Sequence, residues 1–343
     1  MPTLYVIEPG SRLEKEYQRL LVTKEDEILL RLPIQRVSQV VLVGRVGVTT
    51  PALHALLQAE IPLLIINRSG KLKGRLLPPT APNLPLRQQQ YQRNDDPDFC
   101  LRLAQAIVAA KIHNQRTLAL RLARRHPHID ASRLNTLQPI ANPKSSITNQ
   151  ESSIENRQSS IATLMGIEGS AARAYFHIYR QAFAAQWQFH KRTRRPPKDP
   201  VNALLSLGYS FLTQAMMTAL EAVGLDPYLG YFHSEKYGRP ALALDLVEEF
   251  RTPIVDSLTL TLLNRRQLQP NDFQIDPESG GTILKNRGFR LFLRKFNDKL
   301  ESKIKVTSIG RAISYRKLFE VQARHLARTI TGQDDTYKPF RSR

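Results

Sequence analysis

Gly224-Leu-Asp-Pro-Tyr-Leu-Gly-Tyr-Phe-His-Ser-Glu-Lys-Tyr-Gly-Arg-Pro-Ala-Leu-Ala-Leu-Asp-Leu-Val-Glu-Glu-Phe-Arg-Thr-Pro-Ile-Val-Asp256 is the stretch around which this chain is organised. Gly224 to Pro227 reads as a helix stop and a turn, and Tyr231-Phe232-His233 as a loop carrying one imidazole. After Arg239-Pro240, residues 241 to 250 read as a helix, on which Asp245 and Glu248 are one turn apart and face the same way. One imidazole and two carboxylates, converging from a loop and the next helix, suit a divalent ion. Oxygen ligands favour Mg²⁺ or Mn²⁺, and an imidazole tilts the choice toward Mn²⁺. The spacing also fits solvated acids on an amphipathic helix and a loop histidine satisfied by its neighbours. However, Asp245 sits among Leu242, Leu244, Leu246 and Val247, and an acid in an apolar run needs a partner.

Two motifs upstream of this stretch, in consistent order, are Met165-Gly-Ile-Glu-Gly169 and Asn202-Ala-Leu-Leu-Ser-Leu-Gly-Tyr209. Together the three resemble the signature of the CRISPR-associated endonuclease/integrase family, the larger of the two universal spacer-acquisition proteins, and the resemblance runs over nearly the whole chain. It implies that Glu168, His233 and Glu248, the last fifteen residues after the histidine, are the catalytic residues and hold one Mg²⁺ or Mn²⁺. Asp245 is read as a group that holds His233 or a metal-bound water, or as the ligand in place of Glu248, and Glu249 is close in register. The implied activity is that of a hydrolase-class enzyme acting on phosphodiester bonds, a metal-dependent DNA endonuclease and integrase. It would insert short fragments (spacers) into a CRISPR repeat array by attack of a 3′-hydroxyl, in antiviral defence. The implied partners are duplex DNA with 3′-hydroxyl ends, a second copy of the chain, and the small CRISPR-associated partner protein, which is ferredoxin-like. Two other classes stay open: a structure-specific nuclease in DNA repair, and a non-catalytic nucleic-acid scaffold.

Composition agrees with a polyanion partner. Lys and Arg number 50 against 30 Asp and Glu, a formal net charge of +20, and nucleic acid is the first candidate. Anionic lipid fits less well, because no amphipathic anchor or lipidation motif is present. Cys100 is the lone cysteine, so no disulfide forms within the chain, and a reducing prokaryotic cytoplasm is expected. Residues 1–9 read as a strand rather than a leader. No segment is read as approaching the roughly 20 apolar residues of a membrane span.

Outward from the central stretch, the pattern gives an α+β chain: a small N-terminal β-rich domain with one helix, followed by a larger all-α C-terminal catalytic domain. Residues 1–78 hold strands at 3–7, 19–22, 27–32, 37–42, 44–48, 61–66 and 71–77, and a helix from Thr50 to about Ala59. This domain carries no catalytic constellation, and dimerisation or docking is its expected role. Residues 79–95 are a Pro-rich linker. The helical domain, 96–331, begins with a helix over 99–125 and is interrupted by a Ser/Asn/Gln-rich insertion at 139–160. Glu168 is then expected to open a helix to about Lys191, with its aromatic residues in the core.

Five of the eight residues from Lys191 to Lys198 are basic. Lys191, Arg192, Arg194, Arg195 and Lys198 are therefore candidates for phosphate contact, although a solvated linker is an equal reading. Asp199 caps a helix to Val223. Past the central stretch, Arg251 to Pro253 is expected to break the helix and Asp256 to cap the next. Two basic helices, at about 285–306 and 308–331, close the domain. Arg239, Arg251, Arg287, Arg290 and Arg294 complete the candidate DNA-binding set, and residues 332–343 are expected to be a mobile tail.

Overall fold

Short apolar alternations pair into two four-stranded sheets in the N-terminal unit. The strands are β1 (Thr3–Val6), β2 (Arg12–Glu16), β3 (Arg19–Lys24), β4 (Glu27–Pro33), β5 (Gln39–Val43), β6 (Gly47–Val48), β7 (Leu63–Ile66) and β8 (Leu72–Leu76). One sheet has the order β1-β5-β7-β8, parallel except at β8, and the other the order β4-β3-β2-β6. Helix α1 (Thr50–Gln58) starts where Thr49 Oγ1 accepts the Ala52 amide and Pro51 sits in the first turn. Leu13, Leu20, Val40, Leu56 and Leu63 are the centre of this unit's core. Strand β2 was not expected. Its sequence, Arg-Leu-Glu-Lys-Glu, has one apolar residue, but that residue, Leu13, is fully buried. The computed structural model describes residues 3–25, 27–68, 70, 72–77, 83–137, 154–234, 236–306 and 310–342, with only the backbone of 154–159.

The chain divides into Met1–Ala81 with Ile283–Asp298, and Pro82–Thr282 with Lys299–Arg343. Most of helix α8 (Asn286–Glu301) thus groups with the N-terminal strands, where the sequence reading put it in the helical domain.

In the second unit, part of the expected linker is helix α2 (Leu84–Asn94), with Pro85 tolerated in its first turn. Helix α3 (Pro97–Arg125) is capped by Asp96, whose Oδ1 accepts the Asp98 and Phe99 amides. Helix α4 runs from Ile154 to Arg180, so Glu168 lies in its middle and does not open it. The last turns of the Ser-rich stretch are therefore helical, and residues 138–153 lie outside the described ones.

Helix α5 (Pro200–Val223) starts at the Asp199 cap and ends at Gly224, whose φ of 97° suits only glycine. By length and composition α5 is apolar enough to cross a membrane, against the sequence expectation, but Leu204, Leu212, Met216 and Leu220 are buried inside the fold. Helix α6 (Ala241–Val247) is followed by a turn and a π-helical segment, Arg251–Asp256, so the coil widens around Pro253 without breaking there. Helix α7 (Ser257–Asn264) follows directly, and the Asp256 side chain does not cap it.

The C-terminal part is mainly helical, which corrects the all-α expectation. It holds short strands β9 (Phe273–Ile275), β10 (Thr282–Leu284), β11 (Lys303–Val306) and β12 (Arg311–Ser314) before α9 (Tyr315–Ile330). Strands β11 and β12 pair antiparallel, with Ile304 opposite Ile313. Lys303, Lys305 and Arg311, expected on basic helices, lie on this hairpin. The period-2 alternation of Lys-Ile-Lys-Val is a strand pattern. The segment after Gly332, expected to be mobile, is packed: Tyr337 is buried and Phe340 stacks on Phe250.

Candidate metal and nucleic-acid site

Asp245 is fully buried on α6, and four donors fill its carboxylate. The amides of Tyr231 (2.7 Å) and Phe232 (3.0 Å) donate to Oδ2, and the His233 amide (2.9 Å) donates to Oδ1. His233 Nδ1 lies 2.7 Å from Oδ1. One carboxylate thus shapes the loop and orients the imidazole. It calls for the proton on Nδ1 and leaves the Nε2 lone pair free. Gly230 permits this approach, since a Cβ there would come within 2.7 Å of the Ala241 Cβ and 3.0 Å of Asp245 Oδ2. From α2, Gln90 holds the other end of the loop: Nε2 donates to the Asp226 carbonyl (2.9 Å) and Oε1 accepts the Asp226 amide (2.8 Å).

Glu168 on α4 and Glu248 in the turn after α6 converge on the ammonium of Lys111 from α3. Lys111 Nζ hydrogen-bonds Glu168 Oε1 and lies 2.7 Å from Glu248 Oε2. His233 Nε2 is 3.9 Å from Glu248 Oε1, which also takes Arg251 Nη1 at 2.9 Å. The Arg251 guanidinium rests on the Tyr209 ring, 5.0 Å from its centroid. Glu248 is 2% exposed. Burial pushes its pKa up, but Arg251, Lys111 and His233 outweigh burial and hold the carboxyl down at about 2.

The three sequence-derived ligands are therefore brought together, with a fourth group that the sequence reading missed. Lys111 is only 7% exposed, on the face of α3 that also buries Ile107, Val108 and Asn114. A lysine inside an apolar stripe was the available signal, since a buried ammonium requires anionic partners.

Among the described residues no three His, Cys, Asp or Glu side chains form a ready ion cage, and the ammonium of Lys111 stands between the glutamates. The donor set nevertheless fits a hard divalent cation: two carboxylates that already share one positive charge, beside a free imidazole nitrogen. Glu248 Oε2 is sealed from water and lies 2.7 Å from the Lys111 ammonium, so one positive charge already stands where the two glutamates would meet a cation.

The other acids of the region face elsewhere. Glu249, fully buried, takes the Tyr337 hydroxyl at 2.5 Å, the Phe340 amide at 2.6 Å and Gln322 Nε2 at 3.0 Å. Burial pushes its carboxyl up to about 7 against the pull of these donors. Asp256 receives the hydroxyls of Tyr175 (2.7 Å) and Tyr209 (2.6 Å).

The basic candidates divide by environment. Arg192 is largely committed: Nη1 donates to Asn202 Oδ1 (2.7 Å) and Nη2 to Ser206 Oγ (3.0 Å), and the guanidinium lies over Tyr209. Lys191, Arg194, Arg195 and Lys198 are exposed around it, on a loop that Asn202 anchors through the Lys191 carbonyl and the Thr193 amide. Arg239 is half-buried. In the N-terminal unit Arg287, Arg290 and Arg294 are exposed, and Arg290 pairs with Glu8. A cavity of about 510 Å³ lies among α3, the β11–β12 hairpin, α9 and residues 338–342. Arg121, Lys299, Lys305, Lys338 and Arg341 line it, with no acidic residue.

The family profile described as CRISPR associated protein Cas1 matches residues 4–298. A Cas4/Cas1 fusion, "CRISPR-associated exonuclease Cas4/endonuclease Cas1 fusion", from Geobacter sulfurreducens is 36% identical over 99% of the chain, which spans 60% of that longer relative. "CRISPR-associated endonuclease Cas1 3" of Thermus thermophilus is 34% identical, with 98% of this chain and 96% of that one covered. Among solved structures, a casposase bound to integration product superposes with TM-score 0.83 over 100% of this chain and 95% of that one. At 23% identity it speaks for the fold alone. A Cas6-RT-Cas1–Cas2 complex chain gives TM-score 0.77 at 26% identity, covering 98% of this chain and 36% of that one.

Proposed function

From the premise that the chain belongs to the Cas1 family, we propose that it is a metal-dependent DNA endonuclease and integrase. The observation that carries this reading is the meeting of Glu168 and Glu248 on one buried cation, beside a histidine whose other nitrogen is held by Asp245. Glu168, Glu248 and His233 Nε2 are the groups that would hold Mg²⁺ or Mn²⁺. Bound there, the ion would stabilise charge developing on a phosphodiester and make a bound water more acidic.

The protein's own residues supply the rest. Asp245 keeps the Nδ1 proton in place and presents Nε2. Arg251 fixes one oxygen of Glu248 and leaves the other toward Lys111. The ammonium of Lys111 offsets the repulsion of the two glutamates in the free protein and adds positive charge where a phosphate would dock. Exposed Lys191, Arg194, Arg195 and Lys198 suit backbone contact without base reading.

The reaction is phosphoryl transfer. The 3′-hydroxyl oxygen of an incoming fragment bonds to a target phosphorus and its proton passes to solvent or a basic group, while the bond to the target's own 3′-oxygen breaks and that oxygen takes up a proton from solvent to leave as a hydroxyl. With water as attacker the same site cuts DNA. The substrate in this reading is a CRISPR repeat array, and the product an array lengthened by a short fragment. The working assembly is two copies of the chain with the small protein Cas2, a partnership supported by the Cas1–Cas2 architecture of a similar solved structure.

The test is strand transfer of a short duplex into a supercoiled repeat-bearing plasmid, with Cas2 present, in Mn²⁺ or EDTA, for wild type and His233→Ala. Joining that needs the metal, is lost in His233→Ala, and leaves duplex binding intact is the expected result. Binding without joining or cleavage in any metal would overturn the enzymatic reading and leave a basic scaffold.

A further inference from the structure

We propose that residues 333–342 act as a strap that positions the catalytic cluster, through Glu249 on one side and Asn114 on the other. This deepens the reading above and rests on it for the chemistry. The strap lies beyond residues 4–298, the span that the family profile matches.

Glu248 sits in a short turn between α6 and the π-helical segment, where regular helical bonding is interrupted. Its neighbour Glu249 points away from the cluster and is filled by the strap. Tyr337 Oη donates at 2.5 Å and the Phe340 amide at 2.6 Å, while Gln322 of α9 donates to the same carboxylate at 3.0 Å. Gln322 also reaches the Tyr337 hydroxyl and the Lys338 carbonyl, so α9, strap and turn share one network. The Phe340 ring lies 5.5 Å from the Phe250 ring and within 4° of parallel.

The second arm comes from α3. Asn114 is one helical turn beyond Lys111. Its Nδ2 donates to the Glu249 carbonyl (2.8 Å) and to the Phe340 carbonyl (3.1 Å), and its Oδ1 accepts the Ser342 amide (2.7 Å). Neighbours of both Glu248 and Lys111 are therefore tied to one segment. Without it, Glu249 loses two donors and Asn114 loses two of its partners. Buried polar groups left unpaired are costly, so the turn would relax to meet water and carry Glu248 with it. Tyr337, Asn114 and Glu249 are positioning residues in this arrangement, since none of them touches the groups that would meet substrate.

The test uses the full chain, its Tyr337→Phe variant, and a chain lacking residues 333–343, each with Cas2. Three readouts are taken: Mn²⁺ binding by electron paramagnetic resonance, joining kinetics, and amide hydrogen exchange at residues 248–250. The expected result is Mn²⁺ affinity and kcat lowered roughly tenfold, in the range seen when groups behind metal ligands are lost. KM for duplex should be unchanged and exchange at residues 248–250 faster. A synthetic peptide of residues 333–343, added to the shortened chain, should restore Mn²⁺ affinity. Tyr337→Phe keeps the ring and removes only the hydroxyl, so it answers the question if the shortened chain fails to fold. Unchanged exchange and unchanged Mn²⁺ affinity, with only the melting temperature lowered, would overturn the strap as a positioning element. A wild type that neither binds Mn²⁺ nor joins DNA would overturn the enzymatic reading, and exchange at residues 248–250 would then decide the strap by itself.

Discussion

Asp245 concentrates in one side chain the requirement that makes the site. Its two oxygens serve three loop amides and the Nδ1 of His233, with no exposure to water. Asp245→Asn keeps the shape but turns one oxygen into a donor, which must then face an amide N–H. The expected cost is about 1–3 kcal/mol of stability for the unmet donors. Joining should fall roughly 10–100-fold as His233 loses its orientation, with DNA affinity held. Urea melts and the strand-transfer rate together check this, and a variant that melts lower but joins at the wild-type rate would contradict the role given to Asp245. This residue was legible in the sequence because an acid in an apolar run has to be partnered. Lys111 was not singled out, since basic residues along an amphipathic helix are ordinarily its wet face. Glu248 and Glu249 look alike in sequence, and only three-dimensional placement sends one to the cation and the other to Tyr337.

At the scale of elements, the π-helical segment Arg251–Asp256 joins the turn that carries Glu248 to the aromatic core. Val255 packs so close to Gly208 that a Cβ on the glycine would come within 2.5 Å of it, and Asp256 collects hydroxyls from α4 and α5. Burial raises the pKa of Asp256, and the hydroxyls of Tyr209 and Tyr175 pull it back. A carboxyl whose folded pKa is raised contributes stability in full below its unfolded value, and that contribution is lost as pH rises through the folded value. Tyr209→Phe removes a donor that favours the ionised form, so the folded pKa rises further. The variant should lose about 1–3 kcal/mol at neutral pH and clearly less near pH 4, where Asp256 is increasingly protonated in both proteins. Denaturation at both pH values checks this, and an equal loss at each would remove Asp256 from the explanation. The sequence supplied helices α3, α5 and α6 and most of the N-terminal strands, because their periods are unbroken. It missed β2, whose single apolar residue shows no alternation. It also took β11 and β12 for helix, because lysine-rich segments between helices look like more helix until Ile304 and Ile313 are seen to pair.

For the whole molecule, the proposed function assigns the net charge of +20 to phosphates. Each phosphate neutralised contributes about −0.9 to the slope of log affinity against log salt, so binding of duplex DNA should weaken steeply as salt rises. The structure separates arginines that charge counting treats as equal. Arg194 and Arg195 are exposed on the loop between α4 and α5, whereas Arg192 is bound to Asn202 and Ser206 and covers Tyr209. Replacing Arg194 and Arg195 together with alanine should reduce the slope by about 2 and weaken all duplex sequences alike, with the melting temperature unchanged. Replacing Arg192 with alanine should do the reverse. It leaves Asn202 and Ser206 short of a donor and strips a cation from Tyr209, so stability falls while the salt slope changes little. Fluorescence anisotropy with a labelled duplex across a salt series, paired with thermal melts, measures both quantities on the same preparations. If Arg192→Ala changed the slope as much as the double variant, the basic loop would be meeting DNA as one undivided charged surface. A split between the two variants would mean that the loop's half-buried Arg192 holds its shape so that its exposed neighbours can meet the backbone.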